Sequence, residues 1–326
     1  MNSPRQLTRW LATAVLGLSS IGTALAQGHW PTQPIKLVVP FAAGGATDQV
    51  ARLIGAKVGT MLGTTVIVDN KPGANGNVGA DMVAKAPADG YTFLHTTSSL
   101  AFSAAFRQKV PYDLTKDLQP VSLVINQPLL IMSSLSSGIV DAATLKAYLR
   151  KNGNDVSYAS SGNGNLTHLA MYVVLNSLGV QATHIPYKGG AAAFPDVIAG
   201  RVDLFADPIN SAWPYARDKR VTALAVTGAQ RSVLAPNVPT VSESLVPGFT
   251  MGAWQALLAP AATPPEIVAK VRNAYVAALQ DPEVKAKLAA QGAEPVGSSG
   301  EELRAFMGAE IKRWEKVVQS SGIKLD

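Results

Sequence analysis

The feature that most constrains this chain is a buried strand that passes through a glycine loop into an amphipathic helix. The apolar run 35–39 predicts the strand, and the first loop, 41–46, contains Gly44 and Gly45. From Val50 onward, apolar residues recur every three or four positions, which predicts a helix. The first turn of a helix has unpaired backbone N–H groups and the positive end of the helix dipole, so this pattern is typical of an anion site.

The same pattern occurs again in the middle of the chain. A strand pattern at 156–160 leads into the second loop, 160–165, and then into a helical pattern from Leu166. The first loop contains no Lys, Arg or His, so an anion bound there is held mainly by main-chain groups, as suits a carboxylate. Either loop alone also fits an ordinary strand–helix connection. Two such loops from two halves of a chain can close on one small anion.

Strand and helix patterns alternate between residues 35 and 95, which indicates an α/β protein with a parallel sheet and helices on both faces. Strand patterns at 121–124 and 129–132 bracket a crossing into a second domain, and the chain returns near Val238. The predicted domains are 30–125 together with 237–326 (domain I) and 126–236 (domain II).

The last third of the chain is rich in helical patterns with capping signals. Thr263 with Glu266, and Ser299 with Glu302, match the spacing of a capping box, in which two side chains bond the free N–H groups of a helix start. We therefore expect helices to begin at both places.

The amino terminus has the features of a secretory signal peptide. Arg5 and Arg9 precede an apolar stretch, and 24–26 is a small-x-small site, so we expect residues 1–26 to be removed after Ala26. The apolar stretch is too short for a membrane span. The chain contains no Cys, and an exported chain without disulfides points to the bacterial periplasm.

Composition and charge narrow the class of partner. Apolar residues make up 47% of the chain and charged residues 15%, which indicates a folded protein with a large core. The net charge is +6, and removing Arg5 and Arg9 leaves +6 − 2 = +4. The basic residues are dispersed, without a basic tract interleaved with aromatic residues, so we expect no nucleic-acid partner.

The sequence lacks the common signatures of catalysis. It has no Cys, no Gly-x-Ser-x-Gly and no Gly-x-x-x-x-Gly-Lys-[Ser/Thr], and none of its four histidines is spaced as a metal pair. Gly162-Asn163-Gly164 begins like a dinucleotide fingerprint, but Thr167 stands where the third glycine belongs. We therefore expect no metal, no cofactor and no enzymatic activity. The enzymatic alternative is a hydrolase or lyase that uses His168 with Ser160 or Ser161.

Three residues each have two possible roles. His168 either donates to a ligand or to the second loop, or is a core histidine bonded to backbone. Asp207 ends a strand pattern and either accepts a hydrogen bond from a ligand or water, or caps the turn before Pro208. Trp254 is either part of the core or the wall of a hinge or pocket.

A series of short motifs gives the chain a close family resemblance over essentially its whole mature length. Two of them contain the glycine loops: Val39-Pro40-Phe41-Ala42-Ala43-Gly44-Gly45-Ala46-Thr47-Asp48 and Tyr158-Ala159-Ser160-Ser161-Gly162-Asn163-Gly164. The others lie at 30–31, 34–35, 68–74, 88–92, 112–113, 120–122, 186–190, 239–241, 258–260 and 292–297. In this order they resemble the solute-binding proteins of tripartite tricarboxylate transporters, the Bug or TctC family.

The resemblance implies an α/β, two-domain type II periplasmic binding protein fold with a ligand cleft between the domains. Family members hold a carboxylate between the two glycine loops, often with ordered waters. By motif position, the ligand-binding residues expected from the first loop and its helix are Phe41, Ala42, Ala43, Gly44, Gly45 and Asp48. Those expected from the second loop and its helix are Ser160, Ser161, Gly162, Asn163, Gly164 and His168, with Thr97, Ser98 and Asp207 on the remaining wall.

The resemblance also implies a function. We expect a periplasmic receptor that captures a small organic carboxylate (a di- or tricarboxylate, an aromatic acid or an acidic amino acid) by hinge closure. It would deliver this ligand, as a monomer, to the membrane subunits of a tripartite transporter. The alternatives are a ligand-sensing receptor for a sensor kinase without transport, and the secreted hydrolase described above.

Overall fold

The computed structural model describes residues 30–41, 43–187 and 189–321. The predicted signal peptide, 1–26, and its cleavage point after Ala26 lie outside the described residues, as does Ala42 of the first loop. A search of the described helices finds none that is both long enough and apolar enough to cross a membrane.

Strands and helices alternate along most of the described chain, as the α/β prediction requires. The strands are β1 (Ile35–Val39), β2 (Val66–Asn70), β3 (Thr92–Thr97), β4 (Leu118–Ser133), β5 (Ser157–Ser160), β6 (Thr183–Pro186), β7 (Leu204–Pro208), β8 (Thr222–Val226), β9 (Gly252–Pro260) and β10 (Glu294–Pro295). The helices are α1 (Ala46–Leu62), α2 (Asn77–Ala84), α3 (Ser99–Ala105), α4 (Ala142–Asn152), α5 (Leu166–Ser177), α6 (Gly190–Ile198), α7 (Ile209–Arg217), α8 (Val241–Ser244), α9 (Pro265–Gln280), α10 (Pro282–Ala290) and α11 (Gly300–Ser321).

The sheet consists of two halves that share β4. In the first half-sheet the strand order is β2-β1-β3-β9-β4, with β1, β2 and β3 parallel and β9 antiparallel to both of its neighbours. The part of β4 that belongs to this half is 118–128. In the second half-sheet, 129–133 of β4 pairs with β7 on one side and β8 on the other, and β5 and β6 follow β7.

β4 is one continuous strand where the sequence pattern predicts two separate strands. Its register against β9 shifts between Pro120 and Ser122 and again between Leu123 and Ile125. Such irregularities add residues that break the alternation of buried and exposed side chains, although pairing continues. The periodicity therefore missed the strand that joins the two halves.

The strand register makes the carboxyl ends of the two half-sheets face each other. Thr97, at the end of β3, pairs in register with Gln255 of β9, and Gln255 pairs in register with Ile125 of β4. Asp207, near the end of β7, lies level with Leu130 of β4. β3 runs in the same direction as β4 and β7 runs against it, so their ends approach from opposite sides. The two levels are 130 − 125 = 5 residues apart, or about 17 Å at the usual strand rise.

Hydrogen bonds also connect separate segments of the chain where it passes between the two half-sheets. Thr227, which is buried, accepts a hydrogen bond from the Leu129 N–H through its Oγ1 at 2.8 Å, and donates its own N–H to the Leu129 carbonyl at 3.0 Å. Its carbonyl accepts from the Met251 N–H at 2.8 Å. These bonds join three segments of the chain at one crossing between the half-sheets.

Apolar clusters cover the faces of both half-sheets, and α11 belongs to both. Leu303 and Met307, from its first half, pack in a cluster with residues of α2, β3 and β9. Trp314, from its second half, packs in a cluster with Leu129 and Ile131 of β4 and with residues of α4 and α5. Trp254 is buried in the first of these clusters, so its interpretation as a core residue is confirmed.

One of the two predicted capping boxes is present and the other is wrong. Ser299 accepts from the Glu302 N–H at 3.1 Å and its own N–H donates to Glu302 Oε2 at 2.7 Å. Thr263 caps nothing, because α9 begins at Pro265 with Pro264 as its N-cap. The buried Oγ1 of Thr263 has no partner among the described residues.

Candidate functional site

The first loop leaves the end of β1 and opens into the start of α1 without a capping side chain. The N-cap of α1 is Gly45, and the first helical hydrogen bond runs from the Gln49 N–H to the Gly45 carbonyl at 3.0 Å. The N–H groups of Ala46 and Thr47 therefore have no helical acceptor. Together with the helix dipole they form a site at which an anion is stabilised.

Asp48 holds the first loop in place instead of pointing away from it. Its carboxylate accepts from the Gly44 N–H at 2.8 Å, from Asn70 Nδ2 at 2.9 Å and from Arg52 Nε at 2.9 Å. Asn70 also donates to the Phe41 carbonyl at 3.0 Å, so β2 is tied to both ends of the loop. The Gly44 N–H is thus used inside the protein, although the resemblance placed it among the ligand contacts.

The charge of Asp48 is compensated within this network. Burial alone would raise the pKa of Asp48, which is 2% exposed, but the bonds from Arg52, Gly44 and Asn70 outweigh it and lower the pKa to about 2. The carboxylate is therefore ionised at any physiological pH. Because Arg52 is paired with it, the start of α1 does not present an unbalanced negative charge to a ligand.

The end of β3 lies beside the first loop. Thr97 Oγ1 accepts from the Ser99 N–H at 3.2 Å, and the Ser98 N–H donates to the Trp254 carbonyl at 3.1 Å. A side chain at Gly76 would meet both Ser99 Oγ and the ring of Phe41, within about 3.4 Å of each, so these residues share one small space. Phe41, Thr97 and Ser98 are thus brought together at one edge of the first half-sheet.

The second loop differs from the first because its helix is capped. Asn165 Oδ1 accepts from the N–H groups of Thr167 at 3.0 Å and His168 at 3.1 Å. Inside the loop, the Ser161 N–H donates to Thr167 Oγ1 at 2.8 Å and the Gly162 N–H to Ser160 Oγ at 3.2 Å. Most of its amide groups are therefore satisfied by the protein itself.

His168, in the first turn of α5, forms a hydrogen bond with the second loop. Its Nδ1 accepts from the Gly164 N–H at 2.9 Å, which requires a neutral ring with its proton on Nε2. The ring stacks on His184 at 3.6 Å between centroids, and the ring of Tyr158 lies 5.1 Å from that of His184 and 6.0 Å from that of His168. Burial, together with the neighbouring His184, lowers the pKa of His168 to about 4. Of its two predicted roles, this bond is the second: His168 is a buried histidine bonded to backbone, and it accepts from the second loop.

The two serines that the enzymatic alternative pairs with His168 both have other hydrogen-bond partners. Ser160 Oγ lies 2.6 Å from His184 Nε2 and also donates to the Gly162 carbonyl at 2.9 Å. Ser161 Oγ donates to Asp207 at 3.0 Å. Neither hydroxyl is hydrogen-bonded to His168, so the arrangement required for that alternative is not formed in these residues.

Asp207 lies at the end of β7, against the second loop. Its Oδ1 accepts from Ser161, and its Oδ2 accepts from Ser211 of α7. The residue is 4% exposed, and burial raises its pKa to about 6 although both hydroxyl bonds act in the opposite direction. Asp207 therefore accepts hydrogen bonds from the second loop and from α7, so its role is wider than a cap on the turn before Pro208.

The structure thus groups the predicted residues at two facing edges. Phe41, Gly44, Gly45, Asp48, Thr97 and Ser98 lie at the end of the first half-sheet, while Ser160, Ser161, Gly162, Gly164, His168 and Asp207 lie at the end of the second. Ala43 is exposed in the first loop, and Asn163 is half-buried in the second. Ala42 is outside the described residues.

Several residues that hold these loops were not found from the sequence. Arg52 and Asn70 hold the first loop, and His184, Ser211 and Asn165 hold the second. Asn165 carried a signal, because Asn directly before a helical pattern is a common N-cap. Arg52 also stands four residues after Asp48 in α1, the spacing of a helical ion pair. Asn70, His184 and Ser211 come from distant elements, so no local pattern marks them. Across the described ranges, no group of three or more His, Asp or Glu side chains is arranged to hold a metal ion.

Two half-sheets joined at a crossing, with loops facing each other at their carboxyl ends, define the class of two-domain periplasmic binding proteins. Solved members resemble this chain closely. A protein of R. palustris solved with adipate is 36% identical, with 90% of this chain and 99% of that one covered and a TM-score of 0.76. MatC from Rhodopseudomonas palustris with bound malate is 33% identical, with coverages of 89% and 100% and a TM-score of 0.71.

Sequence comparison identifies the family within that class. Protein BugT of Bordetella pertussis is 34% identical over 323 residues, which cover 98% of this chain and 99% of BugT. The model of the tripartite tricarboxylate transporter family receptor matches residues 50–323. The chain belongs to this family, as the motifs in its sequence predicted. It is a family of solute-binding receptors and not of enzymes.

Proposed function

We propose that this protein is a periplasmic receptor that captures a small organic carboxylate between the start of α1 and the second loop. The domains, 30–125 with 237–326 and 126–236, close around the ligand about the crossing at Leu129, Thr227 and Met251. The closed monomer then delivers the ligand to the membrane subunits of a transporter, without chemical change.

The observation that carries this proposal is the open start of α1. Its N-cap is a glycine, its first N–H groups lack helical acceptors, and the negative charge of Asp48 is paired with Arg52. The corresponding helix start of the second loop is closed by Asn165. The ligand's acid group is therefore held first by α1, and the second loop reaches it through its remaining polar groups or through water.

Approximate energies agree with a binding site of ordinary strength. A hydrogen bond to a charged group contributes about 1.5–3 kcal/mol, and a helix start adds about 0.3–1 kcal/mol, or up to ~2 when partly buried. A micromolar complex requires about 8 kcal/mol. Two or three such bonds approach this value only if closure and desolvation cost little, so contacts with the cleft walls contribute the rest.

The relatives support a carboxylate as the ligand. Two solved structures that resemble this chain along most of its length contain adipate and malate, which are both small dicarboxylates. The site described above contains the main-chain donors that such an acid group needs, and a basic side chain is absent from the described part of the first loop.

A thermal-shift panel of organic acids tests the proposal. The panel contains aliphatic dicarboxylates, tricarboxylates, aromatic acids and acidic amino acids, with the corresponding amides and alcohols as controls. A bound acid raises the melting temperature according to RT ln(1 + [L]/Kd), whereas its uncharged analogue does not. If no acid stabilises the folded protein, or if the uncharged analogues stabilise it equally, the proposal is wrong.

Gly45→Asp tests the location of the site. Gly45 has φ −72°, a conformation open to any residue, so the substitution changes charge at the start of α1 without straining the backbone. We expect it to weaken binding of the acid found in the panel by at least about 100-fold, because it places a like charge at the seat of the carboxylate.

Gly308→Asp is the matched control for that variant. Gly308 lies in α11 with open space around its Cβ position, so the same substitution adds the same charge away from the site. Isothermal titration should give it the affinity of the wild type. Equal loss of affinity in both variants would indicate a general effect of charge and contradict the proposed location.

A further inference from the structure

We propose that Asp207 is a positioning residue, which holds the second loop in the shape that closes on the ligand. This inference rests on the proposed function, because it concerns how the same site is kept in order. The second loop was expected to contact a ligand, but the side chain that keeps it in place lies on another strand.

Three elements meet at the carboxylate of Asp207. Ser161 of the second loop donates to Oδ1 at 3.0 Å, and Ser211 of α7 donates to Oδ2. The start of α6 lies against the same group: a Cβ placed on Gly190 would be 2.5 Å from Oδ1 and 2.8 Å from Oδ2. The carboxylate is therefore enclosed, and its position fixes that of the hydroxyl of Ser161.

The connection before α6 completes the support of the loop. The Tyr187 N–H donates to the Ser160 carbonyl at 3.0 Å, and the Gly189 N–H donates to the Ser161 carbonyl at 3.2 Å. The second loop is thus held by main-chain bonds on one side and by Asp207 on the other. Loss of Asp207 leaves the main-chain bonds intact, so we expect the loop to shift without unfolding.

Among the described residues, the side chains that hydrogen-bond to the carboxylate of Asp207 are the hydroxyl groups of Ser161 and Ser211, and no cation forms an ion pair with it. Burial raises the pKa of this carboxyl group to about 6, so keeping it ionised at neutral pH costs free energy. A charged group kept at such a cost, at the edge of a binding cleft, is typical of a functional constraint.

Asp203 is a natural control, because it also accepts a hydrogen bond from a serine of the β5 segment, but at the opposite end of the strands from the site. It lies just before β7 and accepts from the N–H and the Oγ of Ser157, at the start of β5, and from the hydroxyl of Tyr148, each at 2.8 Å. Asp203 ties β7 to the start of β5 through Ser157, and Asp207 ties β7 to the loop that follows β5 through Ser161. Only Asp207 does so at the cleft end.

The test compares Asp207→Asn, Asp207→Ala and Asp203→Asn in the full-length mature protein, using the acid found in the panel. We expect Asp207→Asn, which keeps one acceptor oxygen, to weaken binding about 10-fold, and Asp207→Ala to weaken it further. Asp203→Asn should bind within about twofold of the wild type. Hydrogen exchange should accelerate at 160–165 in the Asp207 variants and not in Asp203→Asn.

Two milder variants guard against simple misfolding. Ser211→Ala removes one bond to Asp207 from an exposed position on α7, and we expect it to weaken binding about threefold. Gly190→Ala keeps the carboxylate but displaces it, and should weaken binding like Asp207→Asn, whereas Gly308→Ala should not.

The outcomes separate this inference from the proposed function. If the wild type binds no acid, the proposed function fails and this inference fails with it. If the wild type binds but the Asp207, Ser211 and Gly190 variants bind equally well, only the positioning role is wrong. Equal losses in Asp203→Asn and Asp207→Asn would also overturn it, because they would indicate general destabilisation.

Discussion

His168 shows how one side chain can be structural and still belong to a binding site. Its Nδ1 accepts from the Gly164 N–H, and its ring stacks on His184. Only the neutral ring can make this bond, because both nitrogens of a protonated imidazole are donors. The order of the second loop is therefore linked to the protonation state of His168.

This linkage predicts a pH dependence of stability. The pKa of His168 is lowered from 6.5 to about 4 in the folded protein, so the unfolded state binds more protons between these values. The free energy of unfolding should fall as pH decreases from 6.5 to 4, by up to about 3 kcal/mol from this group. His168→Asn keeps an acceptor near Nδ1 and does not titrate, so its acid limb should be flatter by that amount.

Urea unfolding of the wild type and His168→Asn at pH 7 and pH 4.5 measures this effect. The remaining slope of the variant combines His95 and His184, whose pKa is lowered by burial, with Asp207, whose raised pKa acts in the opposite direction. A difference between the two proteins that is the same at both pH values would mean that His168 does not titrate between them.

Among the elements, the helices that follow the two glycine loops differ in how their first N–H groups are satisfied. α4 and α8 begin with capping boxes at Asp141 and Thr240, and α5 begins with Asn165 as a cap. α1 has only glycine at this position. α2, α3, α6, α7 and α9 also begin without a side-chain cap. We assign the ligand to the open start of α1 because it directly follows the first glycine loop at the end of β1.

The two predicted capping boxes allow a paired experiment. Ser299→Ala removes a cap that is present and should lower the free energy of unfolding by about 1 kcal/mol. Thr263→Val removes a buried hydroxyl without a partner in the described chain and should be neutral or slightly stabilising. Urea denaturation measures both, and a clear loss in Thr263→Val would show that its hydroxyl is satisfied in solution.

At the scale of the whole molecule, the two half-sheets are connected by more than the main chain. β4 runs through both, and α11 packs against the core of each. Glu310 of α11 accepts hydrogen bonds from the indole N–H groups of Trp254 at 3.4 Å and of Trp314 at 3.3 Å, and so links the two clusters. The closure that we propose about the crossing would have to preserve or repack these contacts.

Trp314→Ala should therefore destabilise the molecule strongly. Trp314 is fully buried and packs edge-on against Phe102 at 4.9 Å between ring centroids. Its truncation should lower the free energy of unfolding by about 3–5 kcal/mol. Trp213 of α7 is only half-buried, so Trp213→Ala is a matched control with a smaller expected loss in the same urea experiment. Equal losses of unfolding free energy in the two variants would show that the packing of Trp314 is no more important for stability than that of a half-buried tryptophan.

The sequence by itself determined the α/β alternation, both glycine loops, most helices and the family. These features depend on residues near each other in the chain: apolar periodicity, glycines at 44 and 45, and motifs such as 158–164. Local backbone preferences and side-chain period dictate such features without reference to distant residues. The continuous β4 escaped this approach because its register shifts disturb the period.

Only the tertiary structure decided which groups of the site are free and which are occupied. Asp48, His168 and Asp207 looked like ligand contacts from their positions, yet each bonds to a loop of the protein itself. Their partners lie on other strands and helices, and burial, which sets their pKa values, exists only once the halves are packed. Hydrogen bonds and burial depend on distances in space, which spacing along the chain does not specify.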